Sequence, residues 1–144
     1  MKKLLIATLT CVLVLGAASA DAQLKGWGLG AGVMDGDFAV QARKDFWLGG
    51  DVSQITGQAG VYFHGKTTFR VDTDYHFIVN PESNSRFYPL AGLDLGINSD
   101  KVKLGINLGG GMKLMVTDKL AGFLEAKFVA AGYDGFAVLG GVYF

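Results

Sequence analysis

The chain has 144 residues, half of them hydrophobic and 18% charged, with a formal net charge of zero. That balance excludes a solvated disordered chain and a nucleic-acid binder driven by excess basic charge. Its 22 glycines come with only two prolines and no triplet period, which excludes collagen, and a single cysteine excludes a disulfide scaffold or Cys-rich metal site.

The first twenty residues read as an address. Lys2 and Lys3 precede an apolar run from Leu4 to Leu15, and Gly16-Ala17-Ala18-Ser19-Ala20 follows. A basic start, a short apolar core and small residues at the end predict a secretory signal peptide over 1–20, cleaved after Ala20 or Ala22. The apolar run is too short for a membrane helix, which needs about 20 residues. Cys11 lies inside that run, and Leu9 and Thr10 before it fit a lipid-attachment pattern poorly, so it is expected to leave with the leader. Losing Lys2 and Lys3 leaves the acids in slight excess.

Residues 23–144 then form one expected domain, and its recurring period is two, the mark of strands with unlike faces. Trp27, Leu29, Ala31 and Val33 alternate with glycines, and Asp35-Gly36 closes the first run. Phe38, Val40, Ala42, Phe46 and Leu48 alternate with Ala39, Gln41, Arg43 and Asp45, with Lys44 an exception on the apolar face. Gly49–Thr56 reads as a longer connection, and the register of residues 44–57 stays open. Ala59, Val61 and Phe63 oppose Gln58, Gly60, Tyr62 and His64, with a turn at His64-Gly65-Lys66. Phe69–Val79 is the clearest run: Phe69, Val71, Thr73, Tyr75, Phe77 and Val79 on one face, Arg70, Asp72, Asp74 and His76 on the other. After the Asn80–Asn84 turn, Ala91, Leu93, Leu95 and Ile97 oppose Gly92, Asp94, Gly96 and Asn98. Pro89 falls near the start of that strand, where a missing N–H is tolerable. Val102–Leu114 alternates with Lys103, Gly105, Asn107, Gly109, Gly111 and Lys113. Leu120, Leu124, Ala126 and Phe128 oppose Glu125 and Lys127. Phe136, Val138, Val142 and Phe144 oppose Ala137, Leu139, Gly141 and Tyr143. Short turns between eight strands predict an all-β, antiparallel up-and-down meander closed into a barrel, which removes both edges.

Three features turn the apolar face outward. Strand lengths suit a bilayer crossing. The other face is crowded with glycine and includes Leu90, Ala121, Phe123, Val129, Ala137 and Leu139, a poor surface for water but a good filling for a narrow lumen. Aromatic residues fall near strand ends as two girdles, Phe38, Phe63, Phe69, Phe128 and Phe136 at one end and Trp27, Phe46, Phe77, Phe87 and Phe144 at the other. With Phe136, Val138 and Val142 in phase with a last aromatic, Phe144, the chain resembles the small outer-membrane β-barrel proteins of Gram-negative bacteria, OmpX and the membrane domain of OmpA. The resemblance implies an outer-membrane protein contacting lipid. It also implies an assembly signal in Phe136, Val138, Val142 and Phe144 that the barrel-assembly machinery reads. The connections on the expected outward side are short, unlike the long loops common in that family, which speaks against adhesion by surface loops.

The inward set holds Arg43, Arg70, Lys103, Lys113 and Lys127 against Asp45, Asp72, Asp74, Asp94 and Glu125. Equal numbers confined in a narrow barrel predict a paired plug rather than an ion path. Asp72, Asp74 and His76 form a polar column with Arg70; two carboxylates and an imidazole could take a divalent ion, but Arg70 is an equally good partner. Some small outer-membrane barrels modify lipid A with a His, a Ser and an acid, and no such motif is matched here. Gly109-Gly110-Gly111 has no helix after it and reads as a bend or close strand approach, not a nucleotide loop. The expectation is a monomeric, non-enzymatic outer-membrane protein without cofactor or nucleic-acid partner and with a structural or envelope role. A narrow channel, a lipid-modifying enzyme and a soluble periplasmic barrel for an apolar ligand are the alternatives, in that order.

Overall fold

A computed structural model describes residues 26–48, 50–63 and 67–144. The expected leader, Cys11, His64 and the turn residues Gly65-Lys66 lie outside that set. Eight strands follow in chain order: β1 (Trp27–Met34), β2 (Asp37–Trp47), β3 (Ser53–Tyr62), β4 (Thr68–Phe77), β5 (Ser85–Ile97), β6 (Val102–Met115), β7 (Ala121–Ala130) and β8 (Gly135–Tyr143). Each pairs antiparallel with its neighbour, and β1 pairs with β8 to close the barrel. Trp27 and Phe144 meet at that seam, where the Phe144 N–H donates to the Trp27 carbonyl at 2.9 Å. Both termini of the barrel therefore share one end, here the terminal end; the other is the distal end.

Local chemistry explains the joints. The β1–β2 turn is two residues long, with Asp35 at φ 50° and Gly36 at φ 90°. Positive φ at both positions is what a type I′ hairpin requires, and Asp-Gly is the dipeptide that tolerates it. At the terminal end the longest connection spans residues 78–84, tied by Asn80, whose side chain donates to the Ser85 carbonyl and accepts from the Phe87 N–H.

The period-two reading translates directly into burial. In β4, Thr68, Arg70, Asp72, Asp74 and His76 are buried, and their alternates are exposed. Exposed Phe69, Val71, Leu93, Leu104, Ile106, Leu108, Leu124 and Phe136 belong to an apolar outer wall, while the buried set is dominated by charged and amide side chains. The barrel is inside-out relative to a soluble protein. Phe38 and Phe63 stack at the distal rim with centroids 6.1 Å apart.

Two expectations need correction. Gly49–Thr56 is not one connection: β3 begins at Ser53, which puts Gln54 and Thr56 fully inside and aligns Phe46 with Ile55. Their polar, small outward neighbours Ser53 and Gly57 hid the alternation. Pro89 is not at a strand start, because β5 begins at Ser85. The β4–β5 ladder ends at the His76–Leu90 pair, so Pro89, which still pairs with Gly110 of β6, lies beyond the ladder on its β4 side, where a missing N–H is tolerable.

Candidate functional site: a charged lumen and its distal mouth

Strand geometry sends every second side chain into the lumen, so residues far apart in sequence meet across it in layers. Nearest the terminal end, Asp45 of β2 is the hub. Lys113 of β6 sits 2.5 Å from its Oδ2, and Thr56 and Tyr143 donate hydroxyl bonds to its Oδ1 at 2.9 and 3.0 Å.

The next layer is built on Arg43. Its guanidinium forks onto Glu125 of β7 with bonds of 2.9 and 3.1 Å and donates to Gln58 at 2.8 Å. A planar fork on a carboxylate is the geometry that most strengthens such a pair. Tyr88 donates its hydroxyl to the same Glu125 at 3.1 Å, and the guanidinium lies 4.1 Å over the Phe123 ring. His76 stacks on Tyr88 at 4.3 Å, with Nε2 3.9 Å from Glu125 and Nδ1 3.3 Å from Gln54 Nε2.

One layer further, the Lys127 ammonium reaches Asp72 at 2.7 Å and Asp74 at 3.1 Å. Gln58 and Asn107 donate to Asp74 at 2.6 and 2.8 Å. Toward the distal end, Arg70 Nε donates to Asp94 Oδ1 at 2.7 Å, and the guanidinium lies 4.8 Å over the Tyr62 ring.

The glycines facing the lumen make room for these large groups. A Cβ added at Gly30 would meet the Phe123 ring at 2.7 Å, and one at Gly111 would meet the Tyr88 hydroxyl at 2.6 Å. Glycine at those points lets the rings reach their charged partners across the barrel.

Of the sequence-selected lumen residues, Arg43, Arg70, Asp72, Asp74, His76, Asp94, Lys113, Glu125 and Lys127 are all buried. Their partners differ from the column imagined along β4. Arg70 turns to Asp94 on β5, and Asp72 and Asp74 are held by Lys127 from β7. Side chains two apart on a strand run side by side, whereas those from other walls point at one another. Lys103 also departs from the balanced set. It is half-buried at the distal end, donating to the Gly132 carbonyl at 3.1 Å and lying 4.8 Å over the Tyr133 ring. Gln54 and Thr56 escaped sequence reasoning, although the polar spacing Gln54, Thr56, Gln58 was the available sign.

Beyond Arg70 the lumen widens into a cavity of about 380 Å³ at the distal mouth, lined by Met34, Asp35, Tyr62, Arg70, Lys103 and Asp134 among others. His76, the histidine among the described residues, faces Gln54, Thr56, Tyr88 and Glu125 rather than a serine. Among the described residues no group of three or more His, Cys, Asp or Glu is placed to hold a metal ion.

No family model and no curated protein sequence matches the chain. Solved structures do. The N-terminal β-barrel domain of Pseudomonas aeruginosa OprF superposes with a TM-score of 0.59 at 20% identity, over 82% of this chain and 96% of that one. Neisserial surface protein A gives 0.63 at 12% identity, over 83% and 97%. The Yersinia pestis outer membrane protein Ail gives 0.54 at 12% identity, over 81% and 97%. The chain has the fold of small eight-stranded outer-membrane barrels.

Proposed function

We propose that this protein is an integral outer-membrane barrel with a structural or envelope-associated role, its lumen closed by side chains rather than open to solutes. The observation that carries the reading is the reversal of polarity across the wall. Exposed apolar side chains cover the outside, and the inside holds Arg43–Glu125, Lys127–Asp72 and Lys113–Asp45. A wall of that kind suits acyl chains, and eight strands leave a lumen that side chains fill. The same polarity argues against a soluble barrel for an apolar ligand, whose interior would be apolar. Lipids of the outer membrane are the proposed partners of the wall. The closing strand, with Phe136, Val138, Val142 and Phe144, is the proposed contact for the barrel-assembly machinery.

Expressed in a Gram-negative host, the protein is expected to fractionate with the outer membrane and to migrate differently on gels before and after boiling. Reconstituted in planar bilayers, it is expected to give no steady conductance. Recovery in the soluble periplasmic fraction would refute the membrane reading; steady ion-selective currents would replace the plug with a channel.

A further inference from the structure

We infer that Asp72 and Asp94 share one proton, forming a buried acid pair that makes the β4–β5 seam sensitive to pH. The inference rests on the reading of the lumen as closed by side chains, since open water would solvate a second charge. Among the described residues the buried cations are Arg43, Arg70, Lys113 and Lys127, four against the five buried acids Asp45, Asp72, Asp74, Asp94 and Glu125. Lys103, which would make the numbers equal, is half-buried at the mouth and gives its ammonium to the Gly132 carbonyl. His76 does not replace it. Its Nδ1 faces the Gln54 amide nitrogen, a donor, at 3.3 Å, and so stays unprotonated. The barrel therefore encloses one carboxylate too many, and a buried charge without a counterion is strongly unfavourable.

Local geometry says where the surplus lies. Glu125 takes Arg43 and Asp45 takes Lys113, which leaves Lys127 and Arg70 to Asp72, Asp74 and Asp94. Asp74 is satisfied on both oxygens, by Asn107 on Oδ1 and by Gln58 and Lys127 on Oδ2. Asp72 and Asp94 differ. They stand directly opposite in the β4–β5 ladder, with their carboxyls within hydrogen-bonding reach of each other, and they are 2% and 0% exposed. Asp72 Oδ1 and Asp94 Oδ2 each lack a hydrogen-bond partner. Like charges opposed across a ladder are destabilising, and two carboxyls this close cannot both ionise away from water. Besides Arg70 of β4 and Lys127 of β7, the pair meets Tyr62 of β3, a neutral phenol, and Gly105 of β6. The two free oxygens are closed to the cavity at the mouth. That excludes a solute or a metal ion and leaves a proton, the one ligand that needs no room. One proton turns the clash into a hydrogen bond and leaves four negative charges facing four positive ones.

Infrared spectroscopy of the folded barrel at neutral pH tests this directly. A protonated-carboxyl C=O band is expected in the wild type, shifted by isotopic labelling of the aspartate carboxyls. It is expected to vanish in Asp72→Asn and in Asp94→Asn, because a single remaining acid ionises beside Arg70 or Lys127. Asp45→Asn is expected to keep it. The heat-dependent gel shift reports whether each variant has folded, and the wild-type band is decisive without any of them. Stability gives a second readout. Folding takes up a proton that the unfolded chain has lost above about pH 5, so the folded state loses ground as pH rises. Dividing the wild-type folding constant by that of Asp94→Asn cancels the contribution of His76. That ratio is expected to fall by up to about tenfold per pH unit, from about pH 5 to the pH at which the band disappears. No protonated aspartate band in the wild type, a band that survives both variants, or a ratio independent of pH overturns the proposal. Failure of the closed-lumen reading shows separately, as steady conductance in planar bilayers.

Discussion

Lys127 shows what a single buried charge does in this barrel. Its ammonium serves Asp72, Asp74 and Gln58 at once, at 2.7, 3.1 and 3.3 Å. Removing one partner of a buried pair costs about 3–5 kcal/mol, because the survivors are left without compensation. Lys127→Met is therefore expected to lower unfolding stability in detergent by about that amount, measured by urea titration. Adding Asp72→Asn to that background is expected to recover part of the loss, since one stranded charge disappears. A double variant no more stable than the single one would show that the coupling runs through other groups. Glycine makes the complementary argument. Gly30 faces the Phe123 ring closely enough that any side chain there collides with it. Overpacking of this kind costs about 1–3 kcal/mol. Gly30→Ala is expected to destabilise the barrel within that range, and Phe123→Leu in the same variant to relieve part of it, again by urea titration.

At the scale of the strand, alternation assigns each side chain to lipid or lumen. Leu93 is 57% exposed on β5, and its neighbour Asp94 is fully buried. An arginine on the lipid face near the bilayer midplane costs about 2–4 kcal/mol. Leu93→Arg is expected to cost about that much when folding is measured into phospholipid bilayers, whereas Leu93→Phe, still apolar and outward, is expected to be nearly neutral. Equal behaviour of the two variants would mean that Leu93 does not face acyl chains. β4 was readable residue by residue, and β6 on either side of Gly109-Gly110-Gly111, because charged or small residues alternate there with apolar ones. β3 was readable only in its second half. Ser53, Thr56 and Gly57 carry too little contrast for a period of two, and the strand forms there because Phe46 and Asp45 of β2 supply partners for Ile55 and Thr56.

For the whole molecule, closure is the decisive event. The β1–β8 ladder runs from Gly28–Tyr143 to Met34–Ala137 and leaves no free edge. The Phe144 N–H extends it by bonding the Trp27 carbonyl. Charge disruption and edge disruption therefore have different readouts. Lys127→Met is expected to lower the urea midpoint while keeping the heat-dependent gel shift, because the ladder survives. Val138→Pro, which removes an N–H in mid-strand, is expected to abolish the gel shift itself.

The sequence by itself determined the number of strands, which face meets lipid and most of the residues that enter the lumen, the first half of β3 with Gln54 and Thr56 excepted. Those properties depend on a local period of two and on turn chemistry such as Asp35-Gly36, both written in neighbouring residues. The leader expected over 1–20 rests on a local pattern of the same kind, and those residues lie outside the described set. Tertiary structure alone decided the partners. Arg70 meets Asp94, Lys127 meets Asp72 and Asp74, and Lys103 leaves the ion pairs for a carbonyl at the distal mouth. The physical reason is that contact across a closed barrel depends on register and on how far around the circumference each strand sits. No stretch of neighbouring residues carries that information, and the cavity formed by Tyr62, Arg70, Asp35 and Asp134 exists only once four separate segments have met.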